Sequence, residues 1–357
     1  MTTTPVSLLH QMTLEHPTEF WNDSCELGSL RRAIAQGATG ATTNPVIVLE
    51  AIESDRALWA DRVRKLIRKN PDHTEEQLAW LLVSLAAREG AALLEPVFLA
   101  RGGKAGRLSI QVNPRYHPSA ELMVRHATEL FALAPNMAIK VPAVAAGVDA
   151  IEELTARGVV INATVLFTLP QALAVAEAVE RGLARAASAG IDLEHVTPYV
   201  TIMVGRLDDH LRDVARQQQL AIDPEHVRQA STAVMRKAYR IFQERGYRST
   251  LLAAAMRSHH HWSEFIGGKL VVTIPPSWQE KFNASGVEVT SRIADPVDEA
   301  IVEELLAAFP DFGRAYREDG MRPEEFVSFG STVKTLHQFL DGYDRLLRFV
   351  REVMLPR

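Results

Sequence analysis

The chain has 357 residues, of which 39 are Lys or Arg and 44 are Asp or Glu, which gives a formal net charge of −5 at pH 7. This charge argues against a nucleic-acid-binding surface, which is normally basic overall or along one stripe. A hydrophobic content of 47% and a charged content of 23% are typical of a soluble globular protein. The length suits one large α/β barrel or two ordinary domains.

The amino terminus and the cysteine count bear on the compartment. Residues 1–16 lack the charged start and long apolar core of a signal peptide, and no stretch is long and apolar enough to cross a membrane. Cys25 is the only cysteine, which excludes an intrachain disulfide and fits a reducing cytosol. We therefore expect a cytoplasmic protein with neither a membrane nor a nucleic acid as partner.

Short apolar runs alternate with long amphipathic stretches along most of the chain. Helical patterns include one that starts at a Thr74–Gln77 capping box and one that ends on Gly190. Eight alternating units predict a parallel (β/α)8 TIM barrel, and the alternative is a doubly wound open sheet. We prefer the barrel because no glycine-rich dinucleotide loop opens the first unit. The runs predict strands at residues 19–24, 37–44, 107–113, 137–142, 159–167, 198–205, 250–256 and 269–275.

The strand signal stops after residue 276, and residues 276–357 are predicted to form a helical extension packed on the barrel. No linker divides the chain, so we expect residues 1–357 to form a single barrel domain with additional C-terminal helices. The same apolar stripe of the last helix also suits a dimer interface, which leaves monomer and homodimer open. The stripe consists of Val333, Leu336, Phe339, Leu340, Tyr343, Leu347 and Val350.

Lys140 interrupts the apolar run of the fourth predicted strand. A lysine at a strand end is most often solvated. At the carboxyl end of a barrel strand, however, apolar surroundings disfavour the ammonium form and lower the pKa of the lysine. The free amine is the form that attacks a carbonyl, so Lys140 is a candidate Schiff-base nucleophile.

Polar side chains also lie near the carboxyl ends of most other predicted strands. Asp23 alone would suit a helix N-cap, and Asn44 precedes a proline that starts a helix. Taken together, the polar residues form the cluster expected around a polyhydroxylated ligand. They are Asp23, Asn44, Gln111, Asn162 and Thr164.

Arg206 and Arg257 follow the sixth and seventh predicted strands. Late βα loops of this fold commonly hold a phosphate, which the forked donors of arginine match, although each arginine alone more often forms a surface salt bridge. The triplet His259, His260 and His261 comes next. No metal is predicted there, because adjacent histidines do not easily face one ion and no cysteine or carboxylate spacing supports a site.

Four motifs occur in order along the chain, namely GATTNPVIVLEA, LSIQVNPR, NMAIKVPA with a following AG, and INATVLFTLPQA. In sequence and spacing they resemble the transaldolases of the class I Schiff-base aldolase superfamily, over about residues 19–275. The resemblance implies a (β/α)8 barrel that needs no metal or organic cofactor. The family reaction, part of the pentose phosphate pathway, converts sedoheptulose 7-phosphate and glyceraldehyde 3-phosphate into erythrose 4-phosphate and fructose 6-phosphate.

The resemblance also implies roles for single residues. Lys140 forms the Schiff base with the donor, Asp23 takes the proton from the C4 hydroxyl of the donor, and Thr164 positions a water. The residues implied to contact the sugar phosphate are Asn44 and Asn162 on the dihydroxyacetone unit, Thr201 beside the donor, and Arg206 and Arg257 on the phosphate.

The chain departs from the transaldolase pattern at Gln111, Asn113 and Ala255. Gln111 stands where transaldolases have a glutamate that transfers protons with the water, and a glutamine does not exchange a proton near neutral pH. Fructose 6-phosphate aldolases also have glutamine there, paired with a tyrosine on strand six where this chain has Met203. Asn113 replaces an aspartate, and Ala255 replaces a serine that helps to hold phosphate.

Three functions follow as alternatives. The leading hypothesis is transaldolase-like transfer of a dihydroxyacetone unit between sugar phosphates. The second is a Schiff-base lyase that acts on a different sugar phosphate in a specialised pathway, as Gln111 suggests. The third is a catalytically silent sugar-phosphate-binding protein, against which stands the presence of both Lys140 and Asp23.

Overall fold

Eight parallel strands close into a barrel within residues 4–355, the part of the chain that the computed structural model describes. Each strand pairs with the next, and the first pairs with the last, which completes the ring. The predicted barrel is thereby confirmed, and the open-sheet alternative is wrong. The strands are β1 (Glu19–Asn22), β2 (Gly40–Thr42), β3 (Arg107–Gln111), β4 (Met137–Pro142), β5 (Ile161–Leu166), β6 (Tyr199–Ile202), β7 (Thr250–Ala253) and β8 (Val271–Ile274).

Helices connect the strands and form the C-terminal extension. No helix in the described part of the chain has both the length and the apolarity that a bilayer crossing requires. The α-helices are α1 (Leu8–Glu15), α2 (Leu27–Ala35), α3 (Pro45–Ser54), α4 (Arg56–Lys69), α5 (Glu75–Ala100), α6 (Ala120–Phe131), α7 (Ala145–Ala156), α8 (Leu169–Ser188), α9 (Val204–Gln218), α10 (Pro224–Arg228), α11 (Ala230–Arg245), α12 (His260–Ser263), α13 (Pro276–Asn283), α14 (Glu299–Ala308), α15 (Pro310–Tyr316) and α16 (Gly330–Met354). Two 3₁₀ turns are η1 (Pro114–Tyr116) and η2 (Pro323–Ser328).

The predicted strands are confirmed in number and order, and the differences lie at their ends. Only β4 has the predicted bounds, and the other strands are shorter than predicted by one to three residues at one end or both. Val204 and Gly205, predicted as strand, instead begin α9 after the N-cap Met203. The apolar run stays buried as it passes from strand to helix, so periodicity gives no sign of the turn.

The register of the barrel sets Lys140 between two polar neighbours. Every residue of β4 is buried, as expected for a parallel strand covered on both faces. Lys140 is the direct partner of Gln111 on β3 and of Asn162 on β5. Side chains alternate between the two faces along each strand, so three residues in register point to the same side. The fold therefore assembles these three side chains at one level of the barrel.

Helix α16 lies over the carboxyl end of the barrel. It packs against α5 and against α3, α9 and η1, each of which directly follows a barrel strand. The predicted apolar stripe is buried, except that Val333 is 40% exposed and Leu340 is only partly buried. The buried members of the stripe are Leu336, Phe339, Tyr343, Leu347 and Val350.

Arg107 closes the opposite, amino-terminal end of the barrel. It begins β3 and is 2% exposed. Its Nη2 donates to the carbonyl oxygens of Gly103 at 2.8 Å and His195 at 2.6 Å, and its Nη1 donates to that of Pro135 at 3.3 Å. Burial lowers the pKa of this guanidinium. The buried charge thus joins three loops that precede barrel strands.

We expect Arg107→Ala to lower the free energy of unfolding by about 3 kcal/mol, because it leaves a cavity and three carbonyl groups without their donor. Denaturant unfolding of the full chain measures the change. The exposed Arg101 provides the control, and Arg101→Ala should change the stability by less than about 0.5 kcal/mol. Equal effects of the two substitutions would contradict the structural role of Arg107.

Candidate active site

Lys140 lies inside the carboxyl end of the barrel, where its side chain is 7% exposed. Burial lowers the pKa of its amine. The nearby carboxylate of Asp23 opposes this shift, and the charge of Arg206 adds to it. A lower pKa increases the fraction of free amine, which is the nucleophilic form. The solvated-strand-end alternative for Lys140 is therefore wrong.

Gln111, the neighbour of Lys140 on β3, has a buried side chain. Among residues 4–355, its Oε1 finds no hydrogen-bond partner. A buried acceptor left unpaired costs about 1–3 kcal/mol. A hydroxyl group or a water placed beside Lys140 would satisfy this oxygen, so Gln111 is suited to hold a ligand.

Asn162, the neighbour on β5, is fixed by two hydroxyl groups. Thr201 donates its hydroxyl to Oδ1 of Asn162 at 2.6 Å, and Nδ2 of Asn162 donates to Ser109 Oγ at 3.0 Å. These bonds set the orientation of the amide, with both partners buried. Thr201 therefore acts on the site through Asn162, and Ser109 is a member of the site that the sequence did not reveal.

Thr164 lies at a bulge near the end of β5. The register with β6 shifts after Ala163, and Val165 adopts a φ of +53°. The left-handed region is costly for a β-branched residue, so the surrounding structure must hold it. Gln171 does so by donating Nε2 to the carbonyl oxygen of Val165 at 3.1 Å. The bulge turns Thr164 towards Met203, whose Sδ lies 3.9 Å from the threonine hydroxyl.

Asp23 directly follows β1, and its carboxylate accepts a hydrogen bond from the Thr42 hydroxyl. That hydroxyl also lies 3.1 Å from Thr273 Oγ1, so the bond is partly buried where β1, β2 and β8 end. The N-cap of α2 is Glu26, which makes the helix-cap alternative for Asp23 wrong. Asp23 is close enough to Lys140 to affect the pKa of the amine, as a base acting on a bound donor requires.

Asn44 is the N-cap of α3. Its Oδ1 accepts the N–H of Ile47 at 2.9 Å, and its side chain is buried. The amide oxygen is therefore committed to the helix. Only the amide NH₂ group is left to donate to a ligand.

Arg206 lies in the first turn of α9, and residues of the C-terminal helix α16 hold its side chain in place. Its Nη1 donates to Thr335 Oγ1 at 3.4 Å and to Gln338 Oε1, and its guanidinium lies 5.9 Å from the ring centre of Phe339. Burial lowers the pKa of Arg206 to about 10, and the charge of Arg257 contributes. Its Nε is buried and has no hydrogen-bond partner in the described chain. This donor is available to an anion.

Arg257 is exposed, unlike Arg206. Its Nε donates to Asp209 Oδ2 at 2.9 Å, and its stem passes Gly205, where an added Cβ would lie 2.6 Å from Cγ of Arg257. The side chain lines a cavity of about 300 Å³ together with Arg212 and Arg228. Arg257 thus forms the salt bridge that was the alternative for it, with Asp209 as its partner. The side chain also borders a cavity lined by three arginines.

Comparisons with known proteins place this barrel in a family. The family model described as "Transaldolase/Fructose-6-phosphate aldolase" matches residues 20–322. This chain belongs to that family. A transaldolase of Thiobacillus denitrificans is 33% identical over 236 residues, which cover 64% of both chains. Transaldolase 1 of Streptomyces avermitilis is 33% identical over 234 residues, which cover 64% of this chain and 61% of the relative.

A transaldolase of Neisseria meningitidis serogroup A is 34% identical over 186 residues, which cover 52% of each chain. The chain therefore spans between about half and two thirds of the length of these relatives. The resemblance that the four motifs carry is confirmed at the level of the family.

Asn113 is one of the positions at which this chain differs from the transaldolase pattern, and the structure gives a physical reason for the amide. Its Nδ2 donates to Glu76 Oε1 at 3.3 Å. The same carboxylate oxygen accepts the hydroxyl of Tyr343 from α16 at 2.8 Å. An aspartate at position 113 would place a second negative charge against Glu76. Glu76 was not predicted from the sequence, and Tyr343 was predicted only as a member of the apolar stripe, because both come from elements distant along the chain.

Ala255 is a family difference that lies two residues before Arg257. It adopts a φ of +65°, and a Cβ added to Gly205 would lie 1.9 Å from its carbonyl oxygen. The first turn of α9 and the segment after β7 are therefore in close backbone contact at this point. Nothing in the structure explains the replacement of the family serine by Ala255.

The buried amine leads to a prediction about stability. A lysine whose pKa is lower in the folded state destabilises the fold at every pH below its unfolded pKa, about 10.4. We expect Lys140→Met to raise the free energy of unfolding by roughly 1–4 kcal/mol at pH 7, since it replaces an amine whose charged form is disfavoured by burial with an apolar side chain.

The gain should shrink as the pH rises towards the unfolded pKa, where both states hold a neutral amine. Denaturant unfolding between neutral and alkaline pH measures it. Lys69→Met, at an exposed lysine, is the matched control and should show no such trend. A Lys140→Met protein that is less stable than the parent at pH 7 would contradict the assignment.

Proposed function

We propose that this protein transfers a dihydroxyacetone unit between sugar phosphates through a Schiff base on Lys140. The observation that carries the proposal is a buried lysine with a lowered pKa, held between Gln111 and Asn162 at the carboxyl end of the barrel. The relatives named transaldolase support sedoheptulose 7-phosphate and glyceraldehyde 3-phosphate as one substrate pair, with erythrose 4-phosphate and fructose 6-phosphate as products.

The first half-reaction divides the donor. The free amine of Lys140 attacks the ketone carbonyl, and loss of water gives a protonated imine. Asp23 accepts the proton of the C4 hydroxyl as the C3–C4 bond breaks, and the electron pair of that bond moves into the imine. An aldehyde phosphate leaves, and a three-carbon enamine stays on Lys140.

The second half-reaction runs these steps in reverse on the acceptor. The enamine carbon attacks the aldehyde carbon of the acceptor, and Asp23 returns its proton to the new C4 oxygen. Water then hydrolyses the imine and frees the amine of Lys140. The imine is the electron sink throughout, so the reaction requires no metal or organic cofactor.

The other residues of the candidate site would bind and orient the donor. The amide of Asn162 would contact the dihydroxyacetone unit in the orientation that Thr201 imposes. The proposed contacts are Asn44 and Asn162 for the three-carbon unit, Thr164 and Gln111 for a water, and Arg206 and Arg257 for the phosphate.

We place this reaction in cytoplasmic sugar-phosphate metabolism such as the pentose phosphate pathway. A single cysteine, Cys25, which is free and buried, agrees with a reducing compartment. The stripe of α16 is largely used inside the protein, so the proposed assembly, a monomer or a homodimer, would depend on other surfaces.

A Schiff-base lyase is the second candidate. It is favoured by Gln111, whose unpaired Oε1 holds a water or hydroxyl group without exchanging protons. An enamine protonated before an acceptor arrives would be released as free dihydroxyacetone. The two candidates share Lys140 and differ in the fate of the enamine.

Borohydride reduction with fructose 6-phosphate should attach a reduced dihydroxyacetone unit to Lys140, as peptide mass spectrometry will show. Lys140→Met should lose both the adduct and transfer to erythrose 4-phosphate, whereas Lys69→Met should keep both. If the Lys140→Met protein still transfers the dihydroxyacetone unit, the Schiff-base mechanism on Lys140 is wrong. If an adduct forms only with sedoheptulose 7-phosphate or with free dihydroxyacetone, that compound replaces fructose 6-phosphate as the proposed donor. If no adduct forms with any of the three, a silent binding protein is favoured.

Gln111→Glu should raise the turnover of transfer by about tenfold or more, because it restores a group that exchanges protons near neutral pH. Gln111→Met, which keeps the length and removes the amide, is the control and should lower turnover. Free dihydroxyacetone is measured in the same reactions. If it accumulates from fructose 6-phosphate faster than the transfer products, and Gln111→Glu does not help, the lyase replaces the transferase.

A further inference from the structure

A buried hydrogen-bonded pair, Asp208 and His261, joins the two segments that carry Arg206 and Arg257. The pair is almost fully enclosed, with exposures of 1% for Asp208 and 0% for His261. Nε2 of His261 lies 2.8 Å from Asp208 Oδ2, and Nδ1 accepts the backbone N–H of Arg257 at 3.0 Å. Since Nδ1 is the acceptor, the proton of the neutral ring lies on Nε2 and is donated to Asp208.

Asp208 is fixed in turn from a third element. Its Oδ1 accepts the backbone N–H of Ser231 at the start of α11, at 3.1 Å. Asp208 lies on α9, two residues after Arg206. A continuous series of hydrogen bonds therefore runs from α11 through Asp208 and His261 to the backbone of Arg257.

The segment around Arg257 needs such support. Ala255 holds a left-handed conformation, which costs a non-glycine residue about 1–2 kcal/mol. The close contact with Gly205 fixes the carbonyl side of Ala255, and the bond from Arg257 N–H to His261 fixes the chain two residues later. The direction in which the Arg257 side chain leaves the backbone depends on both contacts.

The positive charges of Arg206 and Arg257 repel each other, which opposes the approach of the two side chains. The charge of Arg257 lowers the pKa of Arg206, so the two guanidinium groups repel each other in the absence of an anion. A phosphate that contacts both would relieve this repulsion, provided that the spacing of the arginines is fixed in advance.

We propose that Asp208 and His261 are positioning residues for the phosphate of the donor, because they fix the backbone of Arg257 relative to Arg206. This inference rests on the proposed function and adds two residues that act through the backbone of Arg257. It also explains why only one histidine of the triplet is buried. Within the triplet, His261 alone anchors the proposed anion-binding loop.

The test compares donors with and without a phosphate. His261→Phe keeps the ring volume but removes both hydrogen bonds. It should lower kcat/KM for fructose 6-phosphate by about tenfold, mainly through KM, as expected for the loss of a well-placed contact to a charged group. Borohydride trapping of free dihydroxyacetone on Lys140 should change by less than about twofold, since that donor has no phosphate.

A second variant, Asp208→Asn, changes the tautomer of the His261 ring and preserves the shape of the Asp208–His261 pair. In Asp208→Asn, Oδ1 still accepts from Ser231, and the amide NH₂ group faces Nε2 of His261. The ring proton must then move to Nδ1, where it opposes the N–H of Arg257. Asp208→Asn should therefore show the same phosphate-specific loss, and His261→Asn, which keeps an acceptor near Nδ1, should lose less than His261→Phe.

The exposed neighbour His259 supplies the matched control, and His259→Asn should leave both donors unaffected. Thermal unfolding of each variant shows whether it is folded. Equal losses with fructose 6-phosphate and dihydroxyacetone would mean general damage and would overturn the inference. An unchanged KM for fructose 6-phosphate in both His261→Phe and Asp208→Asn would overturn it as well.

Binding of inorganic phosphate separates this inference from the proposed function. Calorimetry on the parent chain and on Asp208→Asn should show an affinity at least about fivefold weaker in the variant. If no donor forms an imine on Lys140 but this difference is found, the proposed function fails and the positioning role stands. Equal affinities, or no phosphate binding by the parent chain, would refute the positioning role.

Discussion

The free energy of burying a positive charge controls both ends of this barrel. At the amino end, the guanidinium of Arg107 donates from Nη1 and Nη2 to three carbonyl oxygens, and a guanidinium keeps its charge in a protein. At the carboxyl end, the strand neighbours of Lys140 are the amides of Gln111 and Asn162. Neither amide carries a negative charge that would balance a protonated lysine. An arginine keeps its proton under such conditions, whereas a lysine gives it up readily. The cost of burying a positive charge thus gives Arg107 a structural role at one end and favours Lys140 as a nucleophile at the other.

The polar groups around Lys140 are held before any ligand is bound. The amide of Asn162 lies between two hydroxyl groups, the carboxylate of Asp23 is bonded to Thr42, and Asn44 is fixed by its helix. Such preorganisation spares the reacting complex the reorientation of these dipoles. Gln111 has a second consequence beyond the loss of a proton-transfer group. A carboxylate at that position would raise the pKa of Lys140, so the glutamine favours the free amine.

The sequence predicted what depends on local pattern and failed where distant elements meet. The number of strands, the closed barrel and the common level of Lys140, Gln111 and Asn162 follow from periodicity and from parallel register. The bulge at Val165 did not follow from it, because its support comes from Gln171 on the next helix. The bonds from α16 to Arg206 and from α9 to His261 span 129 and 53 positions, and no spacing rule reports them. For the same reason, a triplet of histidines gave no sign that one of its members is buried.

The attachment of Arg206 to α16 has a consequence for the order in which the protein is made. The last barrel strand ends at Ile274, and α16 ends at Met354, 80 residues later by subtraction. Synthesis proceeds from the amino terminus, and structure forms as the chain emerges. All eight strands, with Lys140 among them, are thus available before the ribosome adds Thr335 and Gln338, the partners of the Arg206 guanidinium. The nucleophile is complete first, and the group that would hold the phosphate reaches its final place only when the last helix has been made.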